Sequence, residues 1–112
     1  MAANCKKAFA EQRRQEVLAR CALAFSANPA DPELAMLLAK TELDRGHARQ
    51  ALDWAKRALA IDERQADAYV FVGGAEQAAG HQAAARSAYR RYLELAPKGR
   101  YASDLRAIVG SP

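Results

Sequence analysis

Aromatic residues make up only 7% of this 112-residue chain, β-branched residues are few, and there are only two cysteines. No stretch alternates apolar and polar residues over the length of a strand, which argues against a half-buried sheet. No apolar run approaches the roughly 18 residues of a membrane-spanning helix, and no signal-like apolar core opens the sequence. The chain is therefore expected to be cytoplasmic, with no membrane insertion. Two cysteines without a framework spacing fit a reducing compartment. Phosphate-binding glycine loops, HExxH, GxSxG and paired-cysteine motifs are all missing, so no catalytic residue, metal or cofactor is expected and the chain does not read as an enzyme. The net charge of +4 comes mostly from arginine. Acidic residues interrupt it throughout, which argues against the basic stripe of a nucleic-acid binder.

What the sequence has in quantity is alanine, leucine, arginine, glutamate and glutamine, all good helix formers. The length suits a single all-α domain. Gly46-His47 and Gly80-His81 stand 34 residues apart, and their flanks overlay. Leu38-Ala39, Ala51, Ala55, Ala58-Leu59 and Ile61 shift onto Val72-Gly73, Ala85, Tyr89, Tyr92-Leu93 and Leu95. A fixed period of this length marks a repeated helix pair, which buries its apolar face only by stacking on its neighbours.

The period sets the expected elements. Residues 1–31 form a degenerate first repeat, 32–65 a second, 66–99 a third, and 100–110 a C-terminal capping helix, about seven helices in all. Asn28 to Pro32 is a firm boundary, with Asp31 as N-cap and Pro32 at the first helical position. Helices are expected over about 14–27, 32–45, 48–61, 66–79, 82–96 and 100–110. Gly46 and Gly80 end two of them, because a left-handed turn costs glycine little. The first repeat has no glycine at its expected turn, Glu11 to Arg13, so one unbroken helix over about 3–27 stands as an alternative. In the last segment Tyr101, Leu105, Ile108 and Val109 share a face at helical spacing.

The third unit carries Tyr69, Val72-Gly73, Gly80, Ala85, Tyr89, Leu93 and Pro97. These resemble the tetratricopeptide repeat (TPR) pattern of an aromatic, Leu-Gly, a turn glycine, Ala, an aromatic and Pro. The second unit departs at Ala35, Ala39 and Glu63, and the first has Cys5 in the glycine slot. The ending, Tyr89 through Gly110, resembles the closing segment of TPR modules in large bacterial signalling and motility proteins. That implies a bacterial module cut from a longer chain.

The resemblance implies a TPR-like α-α superhelix and a role in protein–protein interaction. The first helix of each pair would line a concave groove. The implied lining is Lys6, Phe9 and Ala10, then Glu33, Met36, Lys40, Leu43 and Asp44, then Asp67, Val70, Gly74, Gln77 and Ala78. Lys6 and Lys40 are equivalent by the period, as are Phe9 and Leu43, so a lysine row runs beside an apolar row. Such a groove suits a peptide or helix of a protein partner with an apolar anchor and carboxylates. Anchors are expected near Met36, Leu43 and Val70, with Lys6 and Lys40 steering an acidic partner. The asparagines that chaperone-tail-binding TPR proteins set beside their lysines are replaced by Lys6, Lys40 and Gly74, which argues against a clamp for a C-terminal carboxylate. The alternative is self-association, a homo-oligomer or an intramolecular regulatory contact filling the groove.

His47 and His81 would stand about 10 Å apart, too far to share a metal, and read as solvated turn residues. Cys5 and Cys21 face each other across the first helix pair. Buried reduced thiols are the plain reading and a disulfide the sharper one, requiring Cα atoms within about 7 Å. Arg13-Arg14 and Arg90-Arg91 read as solvated faces, and Trp54 as packing between helices.

Overall fold

The computed structural model describes residues 2–110. They form seven helices and no strand: α1 (Ala2–Ala10), α2 (Arg14–Ala27), α3 (Pro32–Asp44), α4 (Ala48–Ile61), α5 (Ala66–Ala78), α6 (Gln82–Leu95) and α7 (Ala102–Val109). Three-residue connections join α1 to α2, α3 to α4 and α5 to α6, leaving each pair no arrangement but antiparallel neighbours. Each second helix also packs on the next first helix, and the stack measures 43 × 24 × 23 Å.

The three turns are built alike. Gln12, Gly46 and Gly80 all have left-handed backbone, with φ of 58°, 80° and 84°. One residue further on, the backbone N–H groups of Arg13, His47 and His81 donate to the carbonyls of Ala8, Glu42 and Glu76 at 2.8–2.9 Å. Those of Gln12, Gly46 and Gly80 donate to Phe9, Leu43 and Gln77. These are the paired bonds of a Schellman cap, which satisfy carbonyls that a helix end would otherwise leave open. The break at Gln12 excludes the unbroken first helix, although glutamine gains nothing from this conformation. Replacing Gln12 with glycine is therefore expected to stabilise the fold by about 0.5–1 kcal/mol. A lower urea midpoint for Gln12→Gly would mean that the side chain holds the turn.

Helix starts follow the expected chemistry at α3, where Asp31 Oδ1 accepts from the Glu33 N–H at 3.0 Å and Pro32 follows it. Asp62 acts differently. It ends α4 and accepts from the Arg64 N–H at 2.9 Å and the Gln65 side chain at 3.0 Å. The backbone bond from Arg64, then the bond from Gln65, holds its carboxyl below the ordinary range.

The core runs along the stack as small residues alternating with large ones. Cys5, Ala8, Val17, Cys21, Ala24, Leu34 and Leu38 bury the first interface. Ala39, Ala55 and Phe71 fill the middle, and Ala85, Tyr89, Tyr92, Ala102 and Leu105 the C-terminal end. Gly73 and Tyr89 meet across the α5–α6 interface. A Cβ on Gly73 would stand 2.1 Å from Tyr89 Cε1. Burial pushes the Tyr89 phenol above its ordinary pKa.

The capping helix departs from expectation. It starts at Ala102 rather than Arg100, and the Tyr101 N–H just before it donates to Tyr92 Oη at 3.2 Å. Ala102 and Leu105 are buried, whereas Ile108 is 42% exposed instead of joining the apolar face. Helical spacing alone overstates the width of a contact made against a single neighbouring helix.

Candidate functional site

The first helices of the pairs meet along one side of the stack, α1 against α3 and α3 against α5. Two cavities open on this side. The larger, about 700 Å³, lies between the α1–α2 turn and the end of α3 and is lined by Phe9, Ala10, Gln12, Arg14, Gln15, Val17, Lys40, Thr41 and Asp44. The smaller, about 310 Å³, is lined by Phe9, Glu33, Met36, Leu37, Lys40, Asp67, Phe71, Arg100 and Tyr101. Phe9 and Lys40 line both, so the two cavities are neighbours that share these residues as a common wall.

Of the residues expected to line a groove, Phe9, Ala10, Glu33, Met36, Lys40, Asp44 and Asp67 line one or both of these cavities. Lys6 stands at the edge through its ion pair with Glu33, 3.1 Å away. Leu43, Val70 and Gln77 line neither cavity. Leu43 lies over Gly74, where an added Cβ would meet its Cδ2 at 2.8 Å. Val70 packs toward the Tyr89 and Tyr92 cluster, and Gln77 Oε1 accepts the Tyr89 hydroxyl at 2.8 Å.

Leu37, Phe71, Arg100 and Tyr101 take their places. Leu37 and Phe71 are equivalent by the 34-residue period, a signal the sequence carried. Arg100 and Tyr101 arrive because α7 folds back on α6, which no local pattern announces.

The lysine row is not free. Lys6 pairs with Glu33, and Lys40 Nζ reaches both carboxylate oxygens of Asp44 at 2.9 Å. These pairs are substantially exposed, so they contribute little stability, but each sets a carboxylate against its lysine. The smaller cavity gathers the apolar and aromatic residues Phe9, Met36, Leu37, Phe71 and Tyr101, whereas the larger is lined mainly by polar side chains.

The histidines are not bare turn residues. His47 Nδ1 lies 3.2 Å from Glu42 Oε1, which Arg45 also reaches at 2.9 Å, and Glu42 is only 8% exposed. His81 and Glu76 repeat the arrangement at 3.6 Å. Among the described residues no cluster of three His, Cys, Asp or Glu could hold a metal. Trp54 packs edge-on to Phe25 at 5.4 Å, with the Arg57 guanidinium 4.6 Å above its ring.

Cys5 and Cys21 correct the reduced-thiol expectation: they are joined as a disulfide with Cα atoms 4.7 Å apart. The argument for a reducing compartment loses that support. No helix among the described residues is long and apolar enough to cross a membrane.

No family model matches the sequence. No curated protein matches it either. Solved structures do. The TPR domain of Arabidopsis OM64 superposes with a TM-score of 0.89 at 20% identity, over 96% of this chain and 88% of that one. The first TPR of Spaghetti (RPAP3), bound to the HSP90 peptide SRMEEVD, gives 0.86 at 25% identity over 95% and 85%. The second TPR domain of human RPAP3, in complex with the HSP70 peptide SGPTIEEVD, gives 0.86 at 19% identity over 98% and 92%. The chain has the all-α superhelical fold of a tetratricopeptide repeat domain.

Proposed function

We propose that this chain is a non-catalytic interaction module that holds a peptide or short helix of a protein partner in the adjacent cavities formed by α1, the start of α2, α3, α5 and the segment before α7. The observation that carries this reading is the pair of adjacent cavities that share Phe9 and Lys40, the smaller of which gathers Phe9, Met36, Leu37, Phe71 and Tyr101. Similar domains hold peptides, which supports the class of ligand. The chemistry proposed here differs from theirs. With Lys6 and Lys40 paired inside the chain, affinity comes from a large apolar anchor set against Met36, Leu37 and Phe71, and acidic residues add little.

The test is selection from a displayed peptide library, followed by titration of the selected peptides and of SGPTIEEVD. Selected peptides are expected to carry an aromatic or long aliphatic anchor and to bind with weak salt dependence. Met36→Lys should raise their Kd by at least about tenfold, roughly 1.4 kcal/mol, while Arg86→Glu on the outer surface of α6 leaves it unchanged. Binding of SGPTIEEVD that is tighter than the selected peptides and abolished by C-terminal amidation would overturn the apolar-anchor reading. Sedimentation of the free protein gives the other outcome: a stable dimer whose contact Met36→Lys breaks would mean that a second copy fills the groove.

A further inference from the structure

We propose that the Cys5–Cys21 disulfide is a redox latch on the N-terminal wall of the cavities, and that its reduction releases α1 from α2. As regulation of the groove this rests on the functional reading above; as a statement about α1 it does not.

By the 34-residue period Cys5 is equivalent to Ala39 and Gly73, and Cys21 to Ala55 and Tyr89. In each helix pair the residues in these slots meet across the interface. The second pair fills them with two small residues. The third sets no side chain at all against a large one, with a Cβ on Gly73 falling 2.1 Å from the tyrosine ring. The first pair instead has two sulfur-bearing side chains on Cα atoms 4.7 Å apart. Bonded sulfurs need about 2 Å, whereas unbonded heavy atoms need about 3.5–4 Å. Two thiols therefore overfill a slot that one disulfide fits, and both residues are fully buried, leaving no solvent space to turn into.

Little else holds α1. It is nine residues long, too short to persist as an isolated helix; it fully buries Cys5 and Ala8 and sets the partly buried Ala2 and Phe9 against the same cluster. It touches only α2 and α3, and it leads into the left-handed Gln12. Its ion pair, Lys6 to Glu33, is half exposed. Because Phe9 lines both cavities, loss of α1 removes a wall from each.

Reduction would proceed by exchange with a dithiol. One thiolate attacks a cysteine sulfur and forms a mixed disulfide, and the second displaces the remaining cysteine. Two electrons and two protons pass to Cys5 and Cys21, and the reductant leaves as its own disulfide. Since both sulfurs belong to buried residues, attack waits on transient opening of α1.

Hydrogen exchange on the oxidised protein and on protein reduced with dithiothreitol tests the latch, with alkylation and mass measurement reporting the bond. Reduction is expected to lower protection across α1 by about 100-fold while α4 to α6 change by less than about threefold. The double variant Cys5→Ala with Cys21→Ala restores the small pair of α3 and α4. It should ignore dithiothreitol and keep more α1 protection than the reduced wild type. Unchanged α1 protection on reduction, a dithiothreitol response in the double variant, or free thiols in air-oxidised protein would each overturn the proposal. A peptide selected as above is expected to bind at least about tenfold more weakly to the reduced protein. If α1 is released and that peptide binds as before, the groove assignment at Phe9 fails and the latch on α1 stands.

Discussion

Gly73→Ala is expected to cost about 3 kcal/mol in the wild-type chain and nothing in a Tyr89→Ala background. The added methyl falls 2.1, 2.5 and 2.7 Å from three atoms of the Tyr89 ring. That ring has nowhere to go. It is 3% exposed, packed among Ala85, Tyr92 and Leu105, and tied to Gln77 through its hydroxyl. Moving it therefore strains α6 or breaks a hydrogen bond. Tyr89→Ala alone should cost about 3–5 kcal/mol through the cavity it leaves. In that background the methyl that Gly73→Ala adds enters vacated space, and the helix gains the preference of alanine over glycine, about 1 kcal/mol. The double variant then has the alanine pair that Ala39 and Ala55 form between α3 and α4. Denaturant melts of the four proteins measure the coupling. Additivity within about 0.5 kcal/mol would show that the ring does not occupy the place where the methyl must go.

Tyr92→Ala should release α7 and lower stability by about 3–5 kcal/mol. Tyr92 is 1% exposed, and its ring meets Tyr101 edge-on at 5.9 Å. Its hydroxyl accepts the Tyr101 N–H in a space that Gly99 leaves open, since a Cβ there would stand 2.1 Å from that oxygen. α7 packs on α6 alone, with Ala102 and Leu105 set against Ala85, Tyr89 and Tyr92, and Tyr92 is the largest fully buried side chain in that contact. Tyr92→Phe keeps the ring and loses only the hydrogen bond, for about 1 kcal/mol. Hydrogen exchange should show α7 losing protection well before α4 in Tyr92→Ala. Preserved α7 protection at a cost below about 1 kcal/mol would place the docking elsewhere. The variant also bears on function, because Arg100 and Tyr101 line the smaller cavity only while α7 is docked.

Much of the scaffold was legible from residue chemistry. Asp31-Pro32, Gly46 and Gly80 mark boundaries because N-caps, proline and left-handed turns each have a local cost or gain that one residue decides. Gln12 was less legible, since a glutamine carries no signal for positive φ. The turn there is imposed by the pairing of α1 with α2. The candidate site was half legible. Phe9, Glu33, Met36, Lys40, Asp44 and Asp67 follow from the period and the position of each helix in its pair. Leu43, Val70 and Gln77 lie outside the two cavities because packing engages them elsewhere: Leu43 fills the gap over Gly74, Val70 packs toward Tyr89 and Tyr92, and Gln77 accepts the Tyr89 hydroxyl.

By itself the sequence determined the helices, the 34-residue repeat and the type of stack, since helix preference, capping and apolar periodicity act within a few residues of each other. Tertiary structure alone decided four things. It joined Cys5 to Cys21, paired the lysines with Glu33 and Asp44, turned Leu37 and Phe71 toward the cavities, and brought Arg100 and Tyr101 in beside them. The placing of Leu37 and Phe71, the Cys5–Cys21 bond and the arrival of Arg100 and Tyr101 depend on how far one helix stands from another. Spacing along the chain leaves that distance open, and it emerges only when the small and large side chains of neighbouring helices are packed together.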